Sequence, residues 1–356
     1  MDILPTRRSR RQRSAPAAPP SPPAPTPADQ LPEQPAARVA DSARDEDAGT
    51  HVPSDAAAEV VAPAATEPGR RARRQQRTGA SPSGSPGRAG RNLPAAIGVG
   101  VLLGALVLAS LFIRKEAFVA LVAVAVALAV WELTHAFAGR RIRVPLVPAL
   151  VGGLGMVVSA FAAGEEALLV AFALTALAVL LWRVVEGVQG AVRDVAAGVF
   201  TAAYVPFLAA FTMLMLAADD GPKRIIVFVL VTIASDIGGY AVGVVAGKHP
   251  LAPSVSPKKS WEGLGGSVLA CLAAGILSVV FLLDGSWWAG AVLGLAAVVT
   301  ATVGDLSESL LKRDLGIKDM GSLLPGHGGM LDRIDSLLPT APVAFVLLAV
   351  LVPVAG

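Results

Sequence analysis

"PAAIGVGVLLGALVLASLFIRKEAFVALVAVAVALAVWELTH", residues 94–135, carries charge only at Arg114–Glu116 in its middle and at Glu132 near its end. The two apolar runs either side of Arg114 are each about 20 residues long, the length an α-helix needs to cross the hydrocarbon core of a bilayer. Runs of the same kind recur to the C-terminus, near 144–163, 167–185, 197–217, 224–246, 265–283, 287–306 and 339–355. With 94–113 and 117–137 they make nine. Hydrophobic residues are 54% of the chain and charged residues 16%. This composition predicts an all-α, polytopic membrane helix bundle and excludes a soluble or nucleic-acid-binding domain.

The basic residues between the runs supply a second test of the count. With the N-terminus in the cytoplasm, nine spans place twelve Lys and Arg on the cytoplasmic side and four on the other, leaving out residues 1–92. That asymmetry follows the positive-inside rule. An eight-span arrangement would put the two most charged loops on opposite sides. The expected location is the cell membrane, multi-pass, with the N-terminus and the charged loops in the cytoplasm.

Residues 1–92 belong to a different regime, rich in Pro, Ala, Ser and Arg and without a single aromatic ring apart from histidine. Such a segment buries too little apolar surface to offset its ordering entropy, so it reads as a disordered cytoplasmic tail. Arginine clusters at 7–13 and 70–77 flank the acidic stretch 41–47. They suit either contact with anionic lipid or a solvated extension that reinforces topology. No cleavable signal peptide is evident, since the first apolar run starts near Leu93. The single cysteine, Cys271, lies within an apolar run and reads as a small buried hydrophobe. Trp131, Trp182, Trp287 and Trp288 fall near span ends, as interfacial anchors do. Glu132 and His135 have the spacing of a metal pair on one helix, but a polar cap at a helix end is the simpler reading.

Three segments within the membrane domain, 93–356, hold nearly all of the remaining polar chemistry. In "ASDIGGYAVGVVAGKH" (234–249), Asp236 sits near the middle of a span, where a charge needs a partner or a water-filled cavity. Ser235, Gly239, Gly243 and Gly247 repeat every fourth position on that helix, a stripe that lets another helix approach closely. "LAPSVSPKKSWEGLGG" (251–266) reads as an ordered, turn-rich loop, whose Lys258 and Lys259 suit phosphate oxygens. "TVGDLSESLLKRDLGIKDMGSLLPGHGGMLDRIDS" (302–336) is the densest of the three. If its helix continues past Gly304, then Asp305, Glu308, Ser309 and Lys312 share one face. Asp332 and Asp335 follow at the start of the last span. Carboxylate oxygens of this kind suit magnesium together with substrate phosphates, and glycines let backbone approach a ligand. The residues compose a carboxylate-plus-basic site at the membrane surface, fit for metal-assisted phosphoryl or nucleotidyl transfer to a lipid head group. Neither a Walker-type loop nor a dinucleotide fingerprint is present.

The stretch "SLLKRDLGIKDMGSLLPGHGGMLDRID" (309–335) resembles the signature of phosphatidate cytidylyltransferases, also called CDP-diacylglycerol synthases. "SPKKSWEG" and "SDIGGYAVG…GKH" resemble that family's other recurring blocks, so the motif-bearing part is 225–340. The resemblance implies a reaction in which CTP and phosphatidic acid give CDP-diacylglycerol and pyrophosphate. It also implies a magnesium requirement, with potassium as a second ion, and Asp305 and Asp332 as metal ligands. Lys258, Lys259, Lys312 and Arg333 would bind the triphosphate or the lipid phosphate. Asp236 and Asp335 would orient those cations or complete the ion site. Tyr240, Ser256, Glu262, Ser309, Arg313, Lys318, His327, Gly328 and Gly329 would line the substrate site. His327 suits phosphate binding or loop shaping better than proton transfer, because a phosphate attacker is already ionised. Expected partners are CTP, phosphatidic acid and the bilayer, with a homodimer as one option for assembly. The same chemistry on another lipid phosphate is the nearest rival. An ion-coupled transporter is a more distant one, because the polar residues gather on one face and show no internal repeat.

Overall fold

A computed structural model describes residues 93–321 and 328–353. The expectations placed on residues 1–92 and on His327 lie outside the described residues. The helices are α1 (Leu93–Ile113), α2 (Lys115–Ala138), α3 (Leu146–Glu186), α4 (Ala191–Ala217), α5 (Gly221–Ala246), α6 (Trp261–Leu283), α7 (Trp287–Leu315) and α8 (Leu331–Leu351). Between α5 and α6 lies one antiparallel hairpin, β1 (Pro250–Ala252) with β2 (Ser256–Ser260).

Among the described residues, seven of these helices, α2 to α8, are long and apolar enough to cross a membrane. The difference from nine has two sources. Helix α1 is an apolar helix of 21 residues, about 32 Å at the usual rise, and adds one crossing. Helix α3 runs for 41 residues but breaks at Gly164, whose φ of 80° and ψ of −160° lie outside helical space. A side chain on Gly152 would meet Thr175, twenty-three residues on and symmetric about the break. The two halves of α3 therefore fold back on each other as two crossings, and with α1 the count fits about nine.

Contacts at the helix ends sort the loops into two faces. On one face, Lys115 donates to the carbonyl of Ala218, and Arg224 donates to Leu348 O at 3.0 Å and Val352 O at 2.6 Å. On the other, Arg140 donates to Leu315 O at 2.9 Å and Arg193 to Arg141 O at 2.6 Å. Both sets agree with the alternation that nine crossings require.

Helices α5 and α6 approach each other through small residues. A Cβ on Gly238 would lie 2.5 Å from Gly266 O, and one on Gly266 would lie 2.4 Å from Gly238 O. Ser267 Oγ donates to Ser235 O at 2.7 Å and Cys271 Sγ to Val231 O at 3.2 Å across the same seam. Gly239 and Gly243 of the four-residue stripe face Ser267 and Gly263 of α6, so the stripe is a packing surface, and Cys271 is a buried structural thiol. Close backbone approach of this kind substitutes dispersion for a hydrophobic drive that lipid does not supply. Around it, an apolar core formed by α2, α3, α4 and α8 includes Leu133, Met156, Met213, Leu331 and Leu348, none of them more than 1% exposed.

Candidate active site

Helix α7 is 29 residues long, about 43 Å, against a hydrocarbon thickness of about 30 Å. The surplus of about 13 Å carries its last two turns beyond the apolar layer, and Asp305, Glu308 and Lys312 run out through that boundary on one face. The helix ends at Gly316 in the left-handed conformation, φ 70°, with Arg140 of the α2–α3 turn capping its last carbonyls. Sequence spacing alone stops the span at 306; the helix outlasts the hydrocarbon because its polar turns find partners outside it.

Those partners come from three directions. Lys259, on β2, forms an ion pair with Asp305. Lys312 pairs with Glu308 one turn before it, and with Asp332 Oδ1 of α8 at 2.9 Å. Asp332 Oδ2 accepts from the backbone N–H of Gly329 at 2.7 Å and of Met320 at 3.0 Å. Glu308 abuts both Asp332 and Asp335. Asp236, in mid-span on α5, is exposed and accepts from Ser336 Oγ at 3.2 Å. It lies within electrostatic reach of Asp305 and Asp335. Five carboxylates from three helices thus gather in one cluster with Lys259 and Lys312 between them. Asp305 and Asp332 mark its two ends, joined by Glu308.

The start of α8 is fixed from below. Glu132, fully buried on α2, accepts from the backbone N–H of Met330 and of Leu331, both at 2.9 Å. It satisfies two of the donors that open a helix. The polar-cap reading of Glu132 is therefore right, although the helix it caps is α8 and not its own. His135 faces outward, bonded through Nδ1 to Trp131 O at 2.8 Å, and shares no site with Glu132. Gly329 abuts Glu132, and a Cβ there would fall 2.5 Å from Oε2. Gly328, at φ 79°, has Asp332 Oδ2 where a Cβ would need room.

Other residues singled out in the sequence are placed differently. Lys258 and Lys259 alternate on β2, so Lys259 turns to Asp305 while Lys258 is exposed. Glu262 joins the hairpin to the end of α5, accepting from Lys248 N at 3.1 Å and His249 N at 3.2 Å and meeting His249 Nδ1 at 2.6 Å. Ser260 caps α6 by accepting from Gly263 N at 3.1 Å. Tyr240 is 75% exposed. Arg313, Lys318 and Arg333 are exposed around the cluster, and Ser256 and Ser309 are half-buried.

Two side-chain atoms at the cluster are buried without a hydrogen-bond partner, Glu308 Oε1 and the hydroxyl of Tyr204 on α4. Tyr204 lies near Glu308, Asp335 and Asp305 and was not legible from the sequence, because nothing local separates it from a core aromatic. A buried polar atom left unpaired is costly, so a cluster with two of them, and more carboxylates than lysines, is built to receive something. Hard oxygen donors in excess fit a divalent cation of the magnesium type. Among the described residues no group of three or more such ligands is already gathered around one point.

The chain matches the model of the cytidylyltransferase family over residues 94–351. The chain belongs to the cytidylyltransferase family. Its relatives include a phosphatidate cytidylyltransferase of Mycobacterium leprae, 42% identical over 280 residues that cover 74% of this chain and 90% of the relative. The phosphatidate cytidylyltransferase of Mycobacterium tuberculosis strain H37Rv is 40% identical over 300 residues, 81% of this chain and 90% of its own. A Synechocystis protein of the same name is 44% identical over a shorter stretch of 122 residues, 34% of this chain and 41% of the relative. Family membership covers every helix that contributes to the carboxylate cluster.

Proposed function

We propose that this membrane protein transfers the cytidylyl group of CTP to phosphatidate, leaving CDP-diacylglycerol in the bilayer and releasing pyrophosphate. Its family and the shared name of its relatives support the reaction. The observation that carries the reading to particular residues is the row Asp305, Glu308, Lys312 where α7 leaves the apolar layer. In the reaction an oxygen of the phosphatidate phosphate bonds to the α-phosphorus of CTP. The bond from that phosphorus to the oxygen bridging to the β-phosphate breaks, and the electron pair leaves with pyrophosphate.

Two polyanions must meet for this to happen, so the main demand on the protein is electrostatic. Lys259 and Lys312 are the cations held inside the cluster, each now paired with a carboxylate. An entering triphosphate competes with those carboxylates for both lysines. Arg333, Arg313, Lys318 and Lys258 at the rim draw the anion in. Asp305 and Asp332 are the ligands proposed for magnesium, with Glu308 Oε1 between them as a further oxygen; a bound magnesium offsets charge on the triphosphate. Potassium remains the proposed second ion, near Asp236 and Asp335. Tyr204 and Ser336 place hydroxyls at the same cluster, suited to hold a phosphate oxygen. The face that carries the cluster is proposed to be cytoplasmic, in the cell membrane, because it bears the excess of Lys and Arg and CTP is a cytoplasmic solute.

The test uses purified full-length protein in detergent with phosphatidic acid, labelled CTP and magnesium. Labelled CDP-diacylglycerol is expected from the wild type, and on the order of 100-fold less from Asp305→Asn and from Asp332→Asn. Product from both variants at the wild-type rate would move the metal elsewhere. No product from folded wild type would overturn the choice of lipid acceptor.

A further inference from the structure

On the same face as the carboxylate cluster, and separate from it, a cleft of about 640 Å³ opens between the α2–α3 turn and the start of α4. Arg141, Arg143 and Arg193 line it, with Gly190 and Asp194. Arg140 of the same turn bonds to the end of α7, which sets this cleft beside the helix that carries Asp305.

Its arginines outnumber its carboxylates: Arg141, Arg143 and Arg193 face Asp194, with Glu186 near Arg143 in the adjoining cleft. Asp194, buried at the cleft floor, already pairs with Arg183 at 3.1 Å and accepts from the backbone N–H of Arg143 at 3.0 Å. Arg193 approaches it only to 3.7 Å. Among the described residues no carboxylate forms an ion pair with the guanidinium of Arg141 or Arg143. Helix α4 begins here at Gly190 without a side-chain cap, so its N-terminal dipole adds to the positive field. Arg141 is held at φ 59°, a conformation that costs a residue with a Cβ about 1 kcal/mol, and Arg193 fixes it there by donating to its carbonyl. Topology alone asks only that arginines lie on this face. It does not ask for a floored cleft or for a strained residue that lines it.

The surroundings identify the kind of anion. A neighbouring cleft of about 430 Å³ shares Arg143 and continues along Val144 and Val147 to Trp182, with Glu186 in its wall engaged by Trp182 and Arg183. Beside the arginines, Val185, Val188 and Val192 are 87%, 91% and 86% exposed, which suits contact with acyl chains and not with water. A cationic cleft that runs into an apolar one matches a phosphate carried on a lipid. We infer that this cleft binds the phosphate group of an anionic phospholipid, at a site distinct from the one where cytidylyl transfer takes place.

The experiment reads binding without CTP, so its outcome is independent of the proposed reaction. Full-length protein in neutral detergent is titrated with dioleoyl phosphatidylglycerol, and bound lipid is counted by native mass spectrometry. The double variant Arg141→Gln/Arg143→Gln is expected to bind roughly 30-fold more weakly, with Arg141→Lys/Arg143→Lys close to wild type. Neither side chain is in an ion pair, so the variants should fold. A photoactivatable phosphatidylglycerol provides a check within the wild type alone, labelling 141–147 or 188–193. Equal binding by wild type and the glutamine variant, or labels only elsewhere, would overturn the proposal. So would displacement of the lipid by millimolar inorganic phosphate, which would make this a free-phosphate site, or equal uptake of phosphatidylcholine.

Discussion

Lys312 holds two carboxylates at once, and one of them, Glu308, is 1% exposed. Removing a cation from such a group leaves charge buried without a partner, which costs about 3–5 kcal/mol. Lys312→Met is therefore expected to lower the thermal midpoint in detergent by several degrees. Adding Glu308→Gln should recover more than half of that loss, because the amide carries no charge to strand. Simple additivity of the two changes would show that the pair is not coupled. The spacing of Asp305, Glu308 and Lys312 on one face was legible in the sequence. That Glu308 is the buried member was not, because exposure at i+3 depends on what packs against the helix. The same holds for Lys258 and Lys259. As a dipeptide they look equivalent, and only the pairing of β2 with β1 sends one to Asp305 and the other outward.

At the scale of elements, α2 and α8 are tied by one carboxylate almost two hundred positions from its partners. Glu132 meets the first N–H groups of α8, and Asp332 sits one residue beyond Leu331. Glu132 thus acts as a positioning residue for Asp332. Glu132→Gln offers one carbonyl oxygen where two oxygens were used and brings an amide N–H up to a backbone donor. A loss of about 1–2 kcal/mol is expected from the unsatisfied donor. The magnesium concentration for half-maximal activity should also rise, since Asp332 is no longer held in register. A stability loss with unchanged magnesium dependence would confine Glu132 to a structural role. The sequence marked Glu132 as a cap but not the helix it serves; capping signals are read from neighbours in the chain, and this one acts across the bundle. The α5 stripe is the opposite case. Small residues every fourth position announce close approach by themselves, and the contacts of Gly239 with Ser267 and of Gly243 with Gly263 follow.

For the whole molecule, nine crossings place Glu165, Asp219 and Asp284 on one face and Arg141, Lys258 and Lys318 on the other. The protein contains one cysteine, and it is buried, so single cysteines can be introduced into a Cys271→Ser background. A membrane-impermeant maleimide applied to intact cells is expected to label positions 165, 219 and 284. Labelling of 141, 258 and 318 should appear only in inverted vesicles. Labels at 165 and 258 from the same side would refute the topology. The approximate crossing number, the sidedness of charge and the segments that supply the carboxylate cluster were all determined by the sequence. Each rests on a local balance: about 20 apolar residues either satisfy a bilayer or they do not, and a charge either finds an aqueous face or needs a partner. The tertiary structure alone decided the folding back of α3 at Gly164, the joining of Asp305 and Asp332 through Glu308, the role of Glu132 and the arginine cleft at Arg141. These depend on which helix faces meet, and that is set by packing of whole surfaces over separations of tens to hundreds of residues, where no spacing in the chain records the outcome.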